Sequence, residues 1–325
     1  VEPTEAGVLQ TRYAKYGSNV RSALALLDPE LINYQLLVQV ICHLCQRPMS
    51  DTGADAILVF LPGAGEIQEL TDALLACSQF AQEPMRSWVL PLHGALPPHQ
   101  QRRVFQRAPA GIRKIVCCTN VAETSITVDD VGFVVDSGRM KEMQYDSARR
   151  LSSLEDCFVT RSNARQRRGR AGRIAPGVAV HLFTRFRHEQ LLDEFQKTEV
   201  QRVSLEQLIL RIVSTIGKSA GSRGISTKQV CMRLIEPPAI SAVERSVSDL
   251  VDMGAMRGEH GRQSLTPLGK HLSSLPVDAR VGKLILLGSV FGPDAIDKTL
   301  TLAAALSSRW PFCAPQDMRE RAQEA

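Results

Sequence analysis

The sequence predicts an α/β protein in which a lobe built on a mostly parallel sheet is followed by a region made mainly of helices. Between residues 56 and about 184, short apolar runs alternate with runs in which apolar residues recur at helical spacing. Strand-like runs nearly vanish after about residue 186. The chain has 325 residues, 44% of them hydrophobic. This length exceeds the ~100–200 residues of a typical domain, so we expect two or three packed units.

Five runs of the first part are predicted to be strands. Residues 56–61 are continuously apolar, which is typical of a parallel sheet covered on both faces. Pro62 and Gly63 end this run, and a helical pattern follows it. The other predicted strands are residues 88–92, 113–118, 131–135 and 177–183, with helical runs near 97–107 and 162–171 between some of them.

The second part is predicted to begin with amphipathic helices at residues 205–213 and 241–253, the latter with Ser241 as its N-cap. A polar segment that contains glycine, residues 258–263, predicts a β-hairpin, and this order of elements resembles a winged helix. The predicted opening of a helical bundle follows, with helices near 266–275, 278–291 and 294–306.

Charge and cysteine content restrict the class of protein. The net charge of +5 is mild, but eight arginines lie between positions 149 and 173 against two acidic residues, which is an excess suited to phosphates. The eight cysteines lie mostly in apolar runs, which indicates buried reduced thiols and a cytoplasmic or nuclear protein. Cys42 and Cys45 have no second pair at zinc-site spacing, so packing is favoured and no metal site is predicted.

Targeting signals are not evident. No stretch reaches the ~18–20 apolar residues that cross a bilayer, so we expect no membrane association. The chain begins at Val1 with neither a basic segment nor an apolar signal, so we expect a fragment of a longer protein that is not secreted.

The densest chemistry lies in residues 166–173. If a helix carries this segment, Arg170 and Arg173 project from one face and suit the oxygens of a transferring phosphoryl group. A solvated basic helix or a general RNA-binding patch fits the octapeptide equally well.

A second cluster of polar residues, 119–130, directly follows a predicted buried strand. Ligands of open α/β sheets bind beyond the carboxyl ends of the strands, where these hydroxyls and carboxylates fall. The alternative is an N-capped turn that carries ordinary serines and threonines.

Two motif-like segments are rejected. Residues 217–219 resemble the end of a P-loop, but Ile212 stands where that loop requires glycine. Residues 193–196 resemble a metal-binding acidic box but follow no apolar strand. The chain is therefore predicted to lack the parts that hold a β-phosphate and Mg²⁺.

An ordered set of segments resembles the second-lobe motifs IV, IVa, V and VI of DEAH/RHA-type RNA helicases. The residues are 58–63, 92–97, 119–129, 135–138 and 166–173, while 265–269 and 275–278 resemble the stretch after that family's winged helix. The resemblance extends over residues 15–312 and is strongest to the large multidomain DExH proteins. Residues 136–139 and 160–163 depart from the family's usual pattern, but neither departure touches the arginines.

The resemblance implies a domain order. Residues 1–50 would lead in from a first RecA-like lobe, 51–185 would form the RecA-like helicase C-terminal lobe, 186–265 a winged helix, and 266–325 the start of a ratchet domain. ATP would bind between the two lobes, with Mg²⁺ held mainly by the first lobe and RNA lying across both.

The resemblance also implies roles for single residues in ATP hydrolysis. Arg170 and Arg173 would be γ-phosphate fingers, and Gln166 would position the attacking water. Ser125 would sense the nucleotide state. Thr127 and Asp129 would contact the nucleotide.

Further residues are implied for adenine and RNA. Phe105 would stack on adenine, with a core phenylalanine on an amphipathic helix as the alternative. Thr119 and Asn120 would contact the RNA backbone, and residues 139–150 would form a β-hairpin that projects towards RNA.

The function implied is an ATP-dependent RNA helicase that couples RNA-stimulated hydrolysis to 3′–5′ translocation. This segment alone is expected to be inactive because it lacks a P-loop and a DEAH box. The alternatives are a non-enzymatic RNA-binding scaffold and a motor that acts on DNA or on hybrids. A monomer is the family default, and protein activators are possible but unidentified.

Overall fold

The computed structural model describes residues 6–50, 52–146, 151–218, 226–258 and 263–307. The chain divides into two compact units. The first comprises Val1–Met143 with Leu154–Gln196, and the second comprises Gln144–Ser153 with Lys197–Ala325. The domain boundaries that the sequence predicts stay predictions.

The first unit is an α/β lobe. Its helices and strands are α1 (Ala6–Arg12), α2 (Ser18–Leu26), α3 (Tyr34–Cys45), β1 (Ala56–Phe60), α4 (Ala64–Leu75), β2 (Val89–Leu92), α5 (Pro98–Arg102), β3 (Ile115–Cys118), α6 (Val121–Thr124), β4 (Val131–Asp136), α7 (Arg161–Arg168) and β7 (Val178–His181). The strands β5 (Arg139–Asp146) and β6 (Leu151–Phe158) belong to this unit up to Met143 and from Leu154 onwards. Single 3₁₀ turns lie at Met85–Trp88 and Arg103–Phe105, and a π turn at Arg187–Leu191.

Five strands form one parallel sheet in the order β2-β3-β1-β4-β7. These are the strands that the apolar runs predict, so that prediction is confirmed. All five residues of β1 are buried, because α3 and α4 pack on one face while Val104, Ala122 and Val128 pack on the other. The central strand thereby holds its carboxyl end at a fixed place between its neighbours.

Two helix predictions for this lobe are wrong in extent. The run near 97–107 is a short helix, α5, followed by the 3₁₀ turn that ends at Phe105. The run near 162–171 ends at Arg168, with Gly169 as the C-cap, because glycines at 169 and 172 lower helix propensity just where the helix would continue.

A two-stranded sheet pairs β5 with β6. The proposed RNA-facing hairpin corresponds to this sheet, although residues 147–150 lie outside the described residues. Gly138 opens β5 with a φ of 77°, a left-handed conformation that glycine adopts readily.

The second unit is mainly helical. Its helices and strands are α8 (Glu199–Arg202), α9 (Glu206–Lys218), α10 (Thr227–Cys231), α11 (Ile240–Asp252), β8 (Met256–Arg257), β9 (Ser264–Leu265), α12 (Pro267–Ser274), α13 (Ala279–Gly288) and α14 (Pro293–Ser307). The helices before the β8–β9 ribbon follow the order expected of a winged helix. Residues 259–262 of the predicted hairpin lie outside the described part, as do 308–325.

One cap prediction in this unit is wrong. Helix α11 begins one residue before Ser241, with Ala239 as its N-cap and no side-chain cap. Pro267 occupies the first turn of α12, and Thr266 caps that helix by accepting a hydrogen bond from Gly269 N.

The described cysteines are free thiols, and Cys117, Cys118 and Cys231 are buried. Burial raises the pKa of the Cys117 thiol to about 12. Cys313 lies outside the described residues. No helix in the described ranges has the length and hydropathy of a membrane span.

Candidate functional site

The candidate site lies where β3 and β4 end at the same edge of the parallel sheet. The loop after β3 contains α6 and most of the polar residues of 119–130, and α7 packs against α6. This placement follows from the sheet, because parallel strands bring their carboxyl ends together.

The centre of this region is the fully buried guanidinium of Arg167 on α7. Its Nη1 donates to Asp136 Oδ1 at 2.7 Å, and its Nε donates to Glu123 Oε2 at 3.2 Å. Its Nη2 donates to Asn120 Oδ1 at 2.5 Å. The guanidinium also lies 4.9 Å from the centre of the Phe60 ring. One side chain thus connects the loop after β3 with the end of β4.

Two buried carboxylates and one buried arginine stabilise each other in this network. Burial acts to lower the pKa of Arg167, but Asp136 and Glu123 raise it above its ordinary value. Burial likewise acts to raise the pKa of Asp136, but Arg167, His181 and the amide of Gly138 hold it below its ordinary value. Arg167 and Asp136 are therefore charged at neutral pH, and the network is rigid because its buried polar groups have partners.

Helix α7 is fixed at its start by a capping box. Thr160 Oγ1 accepts a hydrogen bond from Asn163 N, and Asn163 Oδ1 accepts one from Thr160 N. The amide group of Asn163 also donates to Glu123 Oε1 at 2.6 Å. The helix therefore begins in a register that places Arg167 against Glu123.

The two predicted finger arginines lie beyond the end of α7, so they do not share one helix face as the helical reading expects. Arg170 is buried and donates from Nη1 to Ile126 O at 3.1 Å and from Nη2 to Glu123 O. Arg173 is exposed and donates from Nη1 to Thr127 Oγ1 at 2.9 Å. The turn is held against β7, since a Cβ on Gly177 would collide with the carbonyl of Ala171.

The charges of these two arginines interact. Burial lowers the pKa of Arg170, and the nearby positive charge of Arg173 lowers it further. An anion placed beside both guanidinium groups would relieve this repulsion.

The remaining predicted nucleotide contacts are accessible. The side chains of Gln166, Ser125, Thr127 and Asp129 are exposed, and of these only Thr127 contacts a predicted finger among the bonds described. Phe105 is 53% exposed, so its alternative assignment to the core is wrong. Its contact with adenine stays a prediction.

The predicted RNA contacts are half-buried. Thr119 N donates to Leu92 O at 3.1 Å, which places this residue at the end of β3. Asn120 accepts from Arg167 and turns its Nδ2 towards Met140 Sδ, 3.8 Å away. Both residues thus lie beside the network.

Sequence reasoning assigns no role to Arg167, Glu123, Asp136 or Asn163. One signal was available: a carboxylate ends an otherwise apolar strand at Asp136, and a buried charge of this kind requires a partner. The identity of the partner is not legible, because Arg167 lies 31 positions along the chain.

The residues present offer donors that fit the phosphates of a nucleotide. Arg173 and Thr127 are exposed phosphate donors. Among the described residues there is no group of three or more His, Cys, Asp or Glu that could hold a metal ion.

Comparisons with known proteins agree on the family. Residues 36–175 match the Helicase conserved C-terminal domain, and residues 278–325 match the Helicase associated domain (HA2), ratchet-like. The putative ATP-dependent RNA helicase DHX57 of Homo sapiens is 43% identical over 97% of this chain and 22% of that protein. The ATP-dependent RNA helicase DHX29 of Homo sapiens is 36% identical over 99% of this chain and 23% of that protein.

A solved structure has the same fold. The E. coli DExH-box NTPase HrpB matches with a TM-score of 0.67 and 26% sequence identity, over 90% of this chain and 34% of that one. This chain thus spans about a fifth of the length of the curated relatives named above. Its first unit is a RecA-like helicase C-terminal lobe, and the chain belongs to the DExH-box helicases, of which it represents the C-terminal part.

Proposed function

We propose that this chain is part of an ATP-dependent RNA helicase and supplies the second half of its ATPase site. The observation that carries the proposal is the exposed guanidinium of Arg173, bonded to Thr127 beside the buried Arg170. Two relatives bear the name ATP-dependent RNA helicase. ATP supplies the phosphoryl group whose transfer to water drives the motor.

Phosphoryl transfer to water requires mainly positioning and charge stabilisation. Arg173 is free to turn towards a γ-phosphate by exchanging its bond to Thr127 Oγ1 for phosphate oxygens. Gln166, exposed on the last turn of α7, orients the attacking water. Ser125, on the same loop, senses the nucleotide state, and Thr127 and Asp129 contact the nucleotide.

Arg170 has a more constrained part in this proposal. Its guanidinium donates to the carbonyls of Glu123 and Ile126, so it fixes the loop that carries Thr127 while its charge adds to that of Arg173. Removal of Arg170 would disturb the charge and both main-chain bonds of the loop, whereas removal of Arg173 would disturb the charge and only the bond to the Thr127 side chain.

The Arg167 network supports coupling between nucleotide and RNA. Arg167 bonds Asn120, a proposed RNA contact, and Glu123, whose carbonyl holds Arg170. A shift of the finger turn would therefore be transmitted to Thr119 and Asn120 through bonded groups. We propose that lobe closure on ATP moves these RNA contacts and that translocation runs 3′ to 5′.

RNA would be held through phosphates and 2′-hydroxyls, with weak sequence preference and strong dependence on salt. The buried free thiols support a reducing compartment, the cytoplasm or the nucleus. A non-enzymatic RNA-binding scaffold is the second candidate, and it would not require an exposed glutamine and arginine in this arrangement.

The deciding experiment is RNA-stimulated ATP turnover by the full-length protein and by its Arg173→Ala variant. We expect turnover to fall by about 10³-fold or more in the variant, because a finger arginine stabilises the charge of the transition state. This segment alone should show no turnover, since it has no P-loop. RNA binding measured at two salt concentrations shows whether the variant still binds RNA.

The matched control is Arg185→Ala, which removes an exposed arginine of the same lobe that pairs with Glu189 at 2.6 Å. Its turnover should equal that of the unmodified protein. A full-length protein that binds RNA but never hydrolyses ATP would establish the scaffold instead. Substantial turnover by the isolated segment would contradict the proposed division of the site.

A further inference from the structure

We infer that Lys114 is a positioning residue that holds Phe105 in place for the nucleotide base, an inference that rests on the proposed function. Phe105 lies in a single 3₁₀ turn and is 53% exposed. Because more than half of the residue is exposed, its position depends largely on what holds its backbone.

The backbone on both sides of Phe105 is held by one ammonium group. Lys114 Nζ donates to Val104 O at 2.7 Å and to Gln106 O at 2.9 Å. These are the carbonyls of the residues immediately before and after Phe105. The third donor of the ammonium group faces Asp130 Oδ1 at 2.8 Å, so all three donors have acceptors.

Lys114 and Asp130 are themselves held firmly by the sheet. The lysine side chain is only 1% exposed, and Lys114 O accepts a hydrogen bond from Ile57 N at the start of β1. Asp130 is fixed in the same way, because its carbonyl accepts from Ala56 N at 2.8 Å. Lys114 therefore links the backbone around Phe105 to β1, the central strand of the sheet.

The same ammonium group joins the two sides of the proposed nucleotide site. Asp130 ends the loop that carries Thr127 and Asp129, the proposed contacts on the nucleotide side, and Phe105 lies on the other segment. An apolar side chain would fill the buried space without the desolvation that a lysine requires. What only the lysine provides is a bond to both carbonyls around Phe105.

The test uses ATP turnover by the full-length protein and compares inhibition by ADP with inhibition by pyrophosphate. ADP carries the base and pyrophosphate does not. We expect Lys114→Met, which keeps the length of the side chain, to weaken inhibition by ADP about tenfold, within the range that stacking of one base supplies. Inhibition by pyrophosphate should change less than about twofold, which is negligible beside the stacking effect.

A double-mutant cycle with Phe105→Ala separates positioning from general damage to the lobe. If Lys114 acts through Phe105, Lys114→Met should have no further effect on ADP inhibition once Phe105 is alanine. Equal weakening by both inhibitors, or an effect that persists in the Phe105→Ala background, would overturn the inference while leaving the proposed function intact.

Failure of the proposed adenine contact is recognised separately. If Phe105→Ala leaves ADP inhibition unchanged, both the adenine contact and the role of Lys114 are overturned, whereas the Arg173→Ala result still decides the ATPase assignment. Lys283→Met is the matched control, because Lys283 also donates to a main-chain carbonyl, Met253 O at 2.7 Å, but in the other unit. If Lys114→Met does not fold, Lys114→Arg is used instead. It keeps the charge beside Asp130 but replaces the point-like ammonium with a planar fork. Inhibition by ADP and by pyrophosphate is then compared in the same way.

Discussion

Asp136 in the first unit and Glu206 in the second are both buried carboxylates at an end of a regular element, and they differ in their partners. Asp136 ends β4 in the first unit and is fully buried. It contacts Arg167 at 2.7 Å, the amide of Gly138 at 2.9 Å and His181 Nδ1 at 3.1 Å. Glu206 begins α9 in the second unit and is 3% exposed. Its ion pair is with Arg280 at 3.4 Å, and that arginine is 40% exposed.

Their pKa values move in opposite directions. Burial dominates at Glu206, so its pKa is raised, and the partial charge compensation by Arg280 is opposed by Asp278 and Asp249. Burial acts at Asp136 too, but there the partners outweigh it and the pKa is lowered. The number and quality of the partners, more than burial itself, decide whether a buried carboxylate stays ionised.

The two carboxylates also differ in what lies beside them. The ionised Asp136 fixes Arg167, and through it Asn120 and Glu123, both of which adjoin the candidate site. No candidate site residue contacts Glu206 among the bonds described. Perturbing the first carboxylate should therefore cost more than perturbing the second.

The largest expected effect is that of Arg167→Met. It leaves Asp136 and Glu123 buried without their main counter-charge, which costs about 3–5 kcal/mol of the free energy of unfolding. Urea unfolding of the first unit, followed by hydrogen exchange of peptides from β4, measures it.

Arg168→Met is the control for this substitution. Arg168 is the next residue on α7 and is exposed, so its replacement should change the free energy of unfolding by no more than about 0.5 kcal/mol. Equal losses in the two variants would mean that the network does not stabilise the lobe.

A smaller effect is expected for His181→Phe. The phenylalanine ring keeps the contact with Phe183, whose ring centroid lies 4.9 Å from that of His181, but removes one partner of Asp136. We expect a loss of about 1.5–3 kcal/mol at pH 7, the size of one hydrogen bond to a charged group. Thermal unfolding of the first unit at neutral pH is the measurement.

The pH dependence sharpens this test. A lowered folded-state pKa contributes stability above the ordinary aspartate pKa of about 3.9, and that stability is lost as the pH falls through the lower folded value. Without His181 the folded-state pKa of Asp136 is less depressed, so the acid-linked loss of stability should be smaller and should end at a higher pH. An unchanged acid limb would show that His181 does not support Asp136.

The smallest expected effect is that of Glu206→Gln. At pH 7 the free energy of unfolding of the second unit should change by less than about 1 kcal/mol, because the pair with a partly exposed arginine is weak. The sign of the pH dependence is opposite to that of Asp136. A raised folded-state pKa means that stability rises as the pH falls from that value towards the unfolded value of about 4.3.

Glu206→Gln should remove this gain. The measurement is the free energy of unfolding between pH 7 and 4, read from exchange in α9. A variant that gains stability on acidification as much as the unmodified chain would show that the gain arises elsewhere.

The sequence predicts the strands of the lobe because each is a short, almost continuous apolar run. Residues 56–61, for example, need no tertiary information to be assigned to a covered parallel strand. The end of α7 is less legible, since arginines favour helix and the glycines at 169 and 172 oppose it.

The candidate site is only partly predictable. The motif resemblance points to Gln166 and Arg173, and both are accessible. It cannot show that Arg170 is held by two carbonyls or that Lys114 holds the turn of Phe105, because these bonds join residues far apart in the chain to main-chain atoms of no particular residue type. Such contacts leave no regular spacing of residue types in the sequence from which they could be predicted.

Asn163 meets two demands at once. Its oxygen accepts the bonds that cap α7, while its amide group donates to Glu123. Aspartate would satisfy the first demand and place a negative charge against a carboxylate, while serine would cap the helix but is too short to reach Glu123. A substitution of Asn163 should therefore be accompanied by a change at or near Glu123. We expect these two positions to co-vary among descendants of this sequence.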